Sequence, residues 1–259
     1  MKKIRGGSGL GDSLYVRPIA EHYVRGGHPV IVKSNYPDVF IGAGVTVEPF
    51  TRLGTNVLAH YSSRRRNNET NQWQDICINA CAPHDLPLSF RWEVRNARLV
   101  DNLRERAAGR PIVMVHGGRE PMERTDRGAR ELLPRQGAFD CTIAALEDCF
   151  KVEVGKGAEL YPIKADFDLT NKTTVADLLD IASTCSAVVG QCSWVIPMAE
   201  ALGKPLLCVW AAAGLKSATE YVRLITPQKI LSQPTSRHLF DDWSAEKITE
   251  AVREFHSVV

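Results

Sequence analysis

Two short strand candidates, the second of them almost wholly apolar, each run straight into a glycine loop and constrain this chain more than any other feature. Residues 1–5 lead into Gly6-Gly7-Ser8-Gly9-Leu10-Gly11, and residues 111–116 (Pro-Ile-Val-Met-Val-His) lead into Gly117-Gly118-Arg119. A strand of nearly unbroken apolar residues must be covered on both faces, which is the condition of a parallel sheet with helices on either side. Behind the first loop, residues 13–24 carry Leu14, Ile19, Ala20 and Tyr23 on one helical face, and Gly26-Gly27 end the helix. Residues 29–33 (Pro-Val-Ile-Val-Lys) then complete a βαβ unit.

Further along, residues 45–48 and 55–60 predict short strands, and 74–81 a helix broken by Pro83 and Pro87. A helix over 93–108 ends at Gly109, and a domain boundary is expected there, giving domains 1–109 and 110–259. The second half predicts a helix over 140–150 and strands over 151–154 and 160–163. Thr174 and Asp177 form a capping box ahead of Leu178, Leu179, Ile181 and Ala182. A strand over 187–190, a helix over 193–202 closed by Gly203 and an apolar strand over 205–210 follow. An amphipathic helix over 244–255 is expected to pack back on the first half. Two successive α/β units predict an α/β protein with two Rossmann-like domains.

Composition narrows the class without choosing a function. With 259 residues, 44 % hydrophobic and 24 % charged, the chain can bury a sizeable core. A net charge of +2 excludes a strongly polybasic binder and leaves local basic patches open. The basic start has no apolar segment behind it and no run is long enough to span a bilayer, so a cytoplasmic protein with reduced thiols is expected from its seven cysteines. Cys77-x3-Cys81-x2-His84 has zinc-binding residue types without a regularly spaced fourth ligand, so no metal is expected. Cys141 and Cys149 read as core thiols of one helix. No G-x-S-x-G elbow or H-E-x-x-H motif occurs.

The first glycine loop is built to meet an anion or a hydroxyl. Its third glycine falls one residue early for G-x-G-x-x-G, the second strand ends in Lys33-Ser34-Asn35 without a ribose-binding acid, and no Gly-Lys-Ser/Thr follows. Dinucleotide binding and ATP hydrolysis are therefore disfavoured. Asp12, in the first helical turn, fits either a capping aspartate or a carboxylate aimed at a ligand hydroxyl. Gly117, Gly118 and Arg119, and the segment Gly190-Gln191-Cys192-Ser193 ahead of a helix, can offer N–H groups and a guanidinium to phosphate. Arg64-Arg65-Arg66 reads as a solvated charge run or as a clamp for a phosphate-bearing acceptor, with Gln72, Trp73, His60 and Tyr61 to stack and hydrogen-bond. His116, at a strand end beside glycines, reads first as a core or capping histidine.

Gly11-Asp12, five residues and Pro18, after a glycine cluster, resemble the opening of the ADP-heptose–lipopolysaccharide heptosyltransferases (glycosyltransferase family 9). Residues 112–119 resemble the start of that family's second domain. Leu169-Thr170 through Asp177 to Val189–Ser193, with Ala199-Glu200 and Gly203-Lys204-Pro205, resemble its donor-binding region. The likeness covers roughly positions 4–35 and 110–210 and points to a short, divergent member. Cys192-Ser193-Trp194 stands where the family usually carries Asp-Ser-Gly, Pro197 where it carries His, and its customary lysine has no counterpart, although Arg119, Arg124 and Arg127 lie near that place.

The resemblance implies a compact glycosyltransferase-B fold, whose two domains face each other across a cleft, and metal-independent inverting transfer. The nucleotide-sugar donor would be held by the second domain, with no further cofactor, and Asp12 would be the base. Gly11, His116, Gly117, Gly118, Arg119 and Gly190–Ser193 would line the donor, with Glu200 either on ribose or a solvated helix carboxylate. Arg64, Arg65, Arg66 and Gln72 would face the acceptor, a glycan or lipid-linked saccharide. Two alternatives stay open: transfer to modified bases in DNA gripped by Arg64–Arg66, and a non-catalytic nucleotide-binding protein with a degenerate donor site.

Overall fold

The structure, a computed structural model, describes residues 1–60, 70–117, 134–157, 162–211 and 234–257. Among these the chain forms two parallel sheets and seven α-helices. The first sheet holds β1 (Lys2–Arg5), β2 (Val30–Lys33), β3 (Thr46–Glu48) and β4 (Val57–Leu58) in the order β3-β2-β1-β4. Its centre is Ile4, abreast of Val32 on one side and Val57 on the other. The second sheet holds β5 (Ile112–His116), β6 (Phe150–Glu153), β7 (Phe167–Asp168), β8 (Ala187–Gln191), β9 (Leu206–Trp210) and β10 (Arg237–Phe240) in the order β10-β9-β8-β5-β6-β7. Every residue of β5, β8 and β9 is buried, as their apolar sequences require.

The helices depart from expectation at their ends, for local reasons. α1 (Leu10–Arg25) starts three residues earlier than the apolar stripe suggested, because Gly9 takes the cap position and Leu10 is itself buried. Leu14, Ile19, Ala20 and Tyr23 face inward as expected, and Gly27 closes the helix at φ +76°. α2 (Gln72–Asn79) is capped by Asn71, whose side chain accepts from the Gln74 N–H. α3 (Ala97–Ala107) begins after its Asn96 cap, later than expected, because residues 90–96 are held elsewhere.

In the second half, α4 (Gln136–Ala144) replaces the helix expected over 140–150. Phe150 is needed opposite Ile112 in the sheet, and the carbonyls of Leu146 and Cys149 bond the Lys151 ammonium instead of continuing a helix. Cys149 thus lies beyond α4 rather than beside Cys141 on it. Residues 162 and 163 form no strand, and 160–161 lie outside the described residues; β7 and β10 were not anticipated. α5 (Val175–Thr184) carries the predicted capping box, with Thr174 Oγ1 accepting from Asp177 N–H and Asp177 Oδ2 from Thr174 N–H. α6 (Val195–Ala201) and α7 (Ala245–His256) follow. Among the described residues, α7 packs on the second half. Its Ile248, Val252 and Phe255 join Val113, Phe139, Val189, Leu207 and Leu239 on one face of the second sheet.

A second apolar cluster runs without a break from Ile4, Leu14 and Ile19 to Met114, Leu179, Val188 and Leu206. Residues 86–96 cross this junction. Phe90 N–H donates to the Ala201 carbonyl at 3.1 Å. The fully buried Asp180 carboxylate accepts from the Trp92 indole at 2.6 Å and from the backbone N–H of Arg95 and Asn96. The Asn96 amide reaches Asp177 at 2.9 Å. On the other side Arg17, 2 % exposed, donates to Glu21, the Val39 carbonyl and the Arg91 carbonyl, and its guanidinium lies over the Phe90 and Trp92 rings. Burial lowers the Arg17 pKa, while the Glu21 carboxylate works against that shift.

All seven cysteines are unpaired; Cys77, Cys149, Cys185 and Cys208 are buried, Cys141 is half-buried, and Cys81 and Cys192 are exposed. Burial pushes the Cys77 thiol up to about 12. No helix among the described residues is long and apolar enough to cross a membrane.

Two outcomes follow from the junction. Asp180→Ala leaves an indole and two backbone N–H groups without their acceptor, and is expected to cost about 2–4 kcal/mol in urea unfolding. Desolvation raises the Asp177 pKa, but hydrogen bonds from Asn96 and Thr174 outweigh it and hold the folded value below the usual one. Its stabilisation is therefore full above the unfolded value of about 3.9 and is lost as pH falls through the folded value. Unfolding midpoints measured from pH 5 downward should fall, and less steeply in Asn96→Ala.

Candidate functional site

The carboxyl ends of β1, β4, β5 and β8 converge where α1 and α6 begin. After β1 the chain passes so close to α1 that side chains have no room. A Cβ on Gly6 would lie 2.8 Å from Val16 Cγ2, and one on Gly7 would lie 2.2 Å from Asp12 Oδ2. Asp12 Oδ2 accepts from the Gly9 N–H at 3.1 Å, so the carboxylate is a capping group, the first of its two sequence readings. Its side chain nevertheless keeps 22 % of its surface, and Oδ1 lies 3.7 Å from His60 Nε2.

His60 reaches this place through strand register. β4 runs parallel to β1 with Leu58 abreast of Arg5, and Ala59 N–H extends the pairing to the Arg5 carbonyl. The His60 carbonyl then accepts from the Asn79 amide of α2 at 2.8 Å. The imidazole is 34 % exposed.

Across the junction, a Cβ on Gly11 would meet Trp194 Cα at 3.4 Å and Pro197 Cγ at 3.6 Å. The start of α1 is thereby set against the start of α6, and Asp12 and the 190–197 segment share one neighbourhood. The Trp194 ring stands 4.7 Å from the His116 ring, whose Nδ1 is 3.1 Å from the Val154 carbonyl. Gly190 is abreast of His116; a Cβ there would lie 2.9 Å from Val195 Cγ2 and 3.1 Å from the His116 carbonyl. Gln191 is 6 % exposed, and its Oε1 has no hydrogen-bond partner among the described residues. Cys192 is exposed, and Ser193 Oγ turns back to the Gln191 carbonyl at 3.2 Å. Trp194, noted in the sequence only as a departure, touches Gly11 of the first half and stands beside His116 of the second. A bulky aromatic directly after a strand-end turn is the signal that could have found it.

Other expected site residues fall elsewhere. Glu200 is 1 % exposed and lies in the interior near Cys208, whose thiol is pushed up by burial first and then by the charges of Cys192 and Glu200. It is not a solvated helix carboxylate. Trp73 is not a surface stacking residue. It is 6 % exposed, stacked on Tyr15 and bonded through its indole to the Leu86 carbonyl. Gln72 remains half-buried, 3.5 Å from the Tyr15 hydroxyl. Arg64, Arg65, Arg66, Gly118, Arg119, Arg124 and Arg127 lie outside the described residues. Among the described residues no three His, Cys, Asp or Glu side chains, Cys77, Cys81 and His84 included, come together as a metal site.

No protein-family model matches the sequence, and no curated protein is significantly similar to it. Solved structures do match. An ADP-heptose lipopolysaccharide heptosyltransferase II from E. coli superposes with a TM-score of 0.60 at 12 % identity, covering 98 % of each chain. A glycosyl transferase family 9 protein from Veillonella parvula gives a TM-score of 0.62 at 9 % identity, covering 98 % of this chain and 96 % of that one. The E. coli heptosyltransferase WaaC with ADP gives 0.56 at 10 % identity, covering 100 % and 99 %. At these identities the likeness is one of fold: the chain has a heptosyltransferase-like, family 9 fold.

The tight packing at the strand ends has a measurable consequence. A Cβ on Gly117 would lie 2.4 Å from Phe139 Cζ, inside the second core cluster. Gly117→Ala is therefore expected to lower unfolding stability by about 1–3 kcal/mol through a displaced ring, read by thermal or urea denaturation.

Proposed function

We propose that the protein is a glycosyltransferase that moves a sugar from a nucleotide-sugar donor to an acceptor hydroxyl with inversion. Residues 1–109 hold the acceptor and 110–259 the donor, as two Rossmann-like units on either side of a crevice. The observation that carries this reading is the Asp12 carboxylate. It is fixed at the carboxyl end of β1 by Gly9 N–H, partly open to solvent, and one residue from the contact between Gly11 and Trp194. The family 9 fold supports it.

Inverting transfer asks little of a protein. Asp12 Oδ1 takes the proton of the acceptor hydroxyl as its oxygen attacks the anomeric carbon, and the nucleoside diphosphate leaves with the bonding electrons. Backbone N–H groups of residues 190–193 and the Arg119 guanidinium meet the charge that develops on the diphosphate, so transfer needs no metal. Trp194, half-buried and backed by the buried His116 ring, gives the donor an apolar face. ADP is the first nucleotide to test, since WaaC was solved with it.

A nucleoside diphosphate that binds the folded protein alone raises the melting temperature, by about 2.7 kcal/mol of added stability at a hundredfold excess over Kd. Asp12→Asn is expected to keep that shift and to lose transfer by about 100-fold or more. Absence of any shift with ADP, UDP, GDP or CDP at millimolar concentration defeats the proposal. A shift without turnover on any donor and acceptor favours a sequestering protein, the reading that Cys192 and Pro197 motivate.

A further inference from the structure

We infer that His60 is a second catalytic residue, which orients the acceptor hydroxyl in the gap between its imidazole and Asp12. This rests on the glycosyltransferase reading of Asp12. His60 Nε2 and Asp12 Oδ1 are 3.7 Å apart, too far for a direct hydrogen bond and close enough for one oxygen atom to sit about 2.8 Å from both. Both side chains are partly open to solvent, so an alcohol can enter between them.

The two partners are held independently. Asp12 is fixed through its other oxygen by Gly9 N–H, and Gly7 passes too near for the carboxylate to swing toward it. His60 is set by the β1–β4 register and by the bond from Asn79 to its carbonyl.

The imidazole Nε2–H donates to the acceptor oxygen and leaves that oxygen's own proton pointing at Asp12 Oδ1. In the transfer step the O–H bond breaks and its proton goes to Asp12. The new oxygen–carbon bond forms, the anomeric carbon–phosphate oxygen bond breaks, and the diphosphate takes the electron pair. The His60 proton stays on His60. Such a site suits an acceptor hydroxyl, which can accept one hydrogen bond while donating another.

Steady-state transfer by His60→Ala, His60→Gln and wild type tests this. His60→Ala is expected to lower kcat/KM for the acceptor about 10- to 100-fold, with donor KM and the nucleoside-diphosphate thermal shift within about twofold of wild type. His60→Gln, which returns an N–H donor near the same place, should recover most of the loss. Added to Asp12→Asn, His60→Ala should cost far less than it does alone, because the two act on one hydroxyl. An acceptor kcat/KM for His60→Ala within about threefold of wild type overturns the inference while leaving the glycosyltransferase reading intact. Equal loss in His60→Ala and His60→Gln together with a lost nucleotide shift assigns His60 a structural role. A wild type that transfers no sugar defeats the underlying reading itself.

Discussion

A single buried carboxylate fixes the geometry on which the rest depends. Asp180 has no exposed surface, and a carboxylate taken out of water costs several kcal/mol unless its oxygens are satisfied. The Trp92 indole and the N–H groups of Arg95 and Asn96 satisfy it, and all three belong to the segment that crosses between the sheets. Trp92 and Phe90 then form the surface under the Arg17 guanidinium, which also holds the Arg91 carbonyl. Arg17 is five residues from Asp12 on the same helix. The position of the candidate base relative to the 190–197 segment is thus set by a chain of contacts that starts at Asp180, in the other half of the molecule.

Local signals in the sequence carried as far as local physics does. Thr174 and Asp177 announce a helix start by the reciprocal bonds they make, and they make them. The apolar strands 112–116 and 206–210 admit no environment but a covered parallel sheet. Asp12 was identifiable as a first-turn carboxylate, since a glycine cluster ahead of a helix leaves few other arrangements. Asp180 was not, because an acid three residues after a capping acid looks like any solvated helix position until Trp92 arrives from 88 residues away. Trp73 misled in the opposite sense. An aromatic beside a basic run suggests base stacking, but Tyr15 and the Leu86 carbonyl claim both its face and its N–H. The end of α4 was invisible for a similar reason, since only the pairing of Phe150 with Ile112 shows that the chain must already be a strand there.

The neighbourhood of Asp12 is polar on one side and apolar on the other. Toward the first sheet it offers a carboxylate, an imidazole and glycine N–H groups; toward the second it offers Trp194, Pro197 and the exposed Cys192. Cys192 and Pro197 bring no fixed charge to the side toward the second sheet, so the charged and hydrogen-bonding groups of this neighbourhood, Asp12 and His60, stand on the side toward the first.

The crossing segment also dictates an order of events during synthesis. Phe90, Trp92, Arg95 and Asn96 leave the ribosome well before residues 180 and 201, which carry the acceptors for their N–H groups. Until then the first sheet has its own hydrogen bonds but an uncovered flank of aromatic rings. The contacts that finish the amino-terminal part are consequently made only once the carboxy-terminal part has been synthesised.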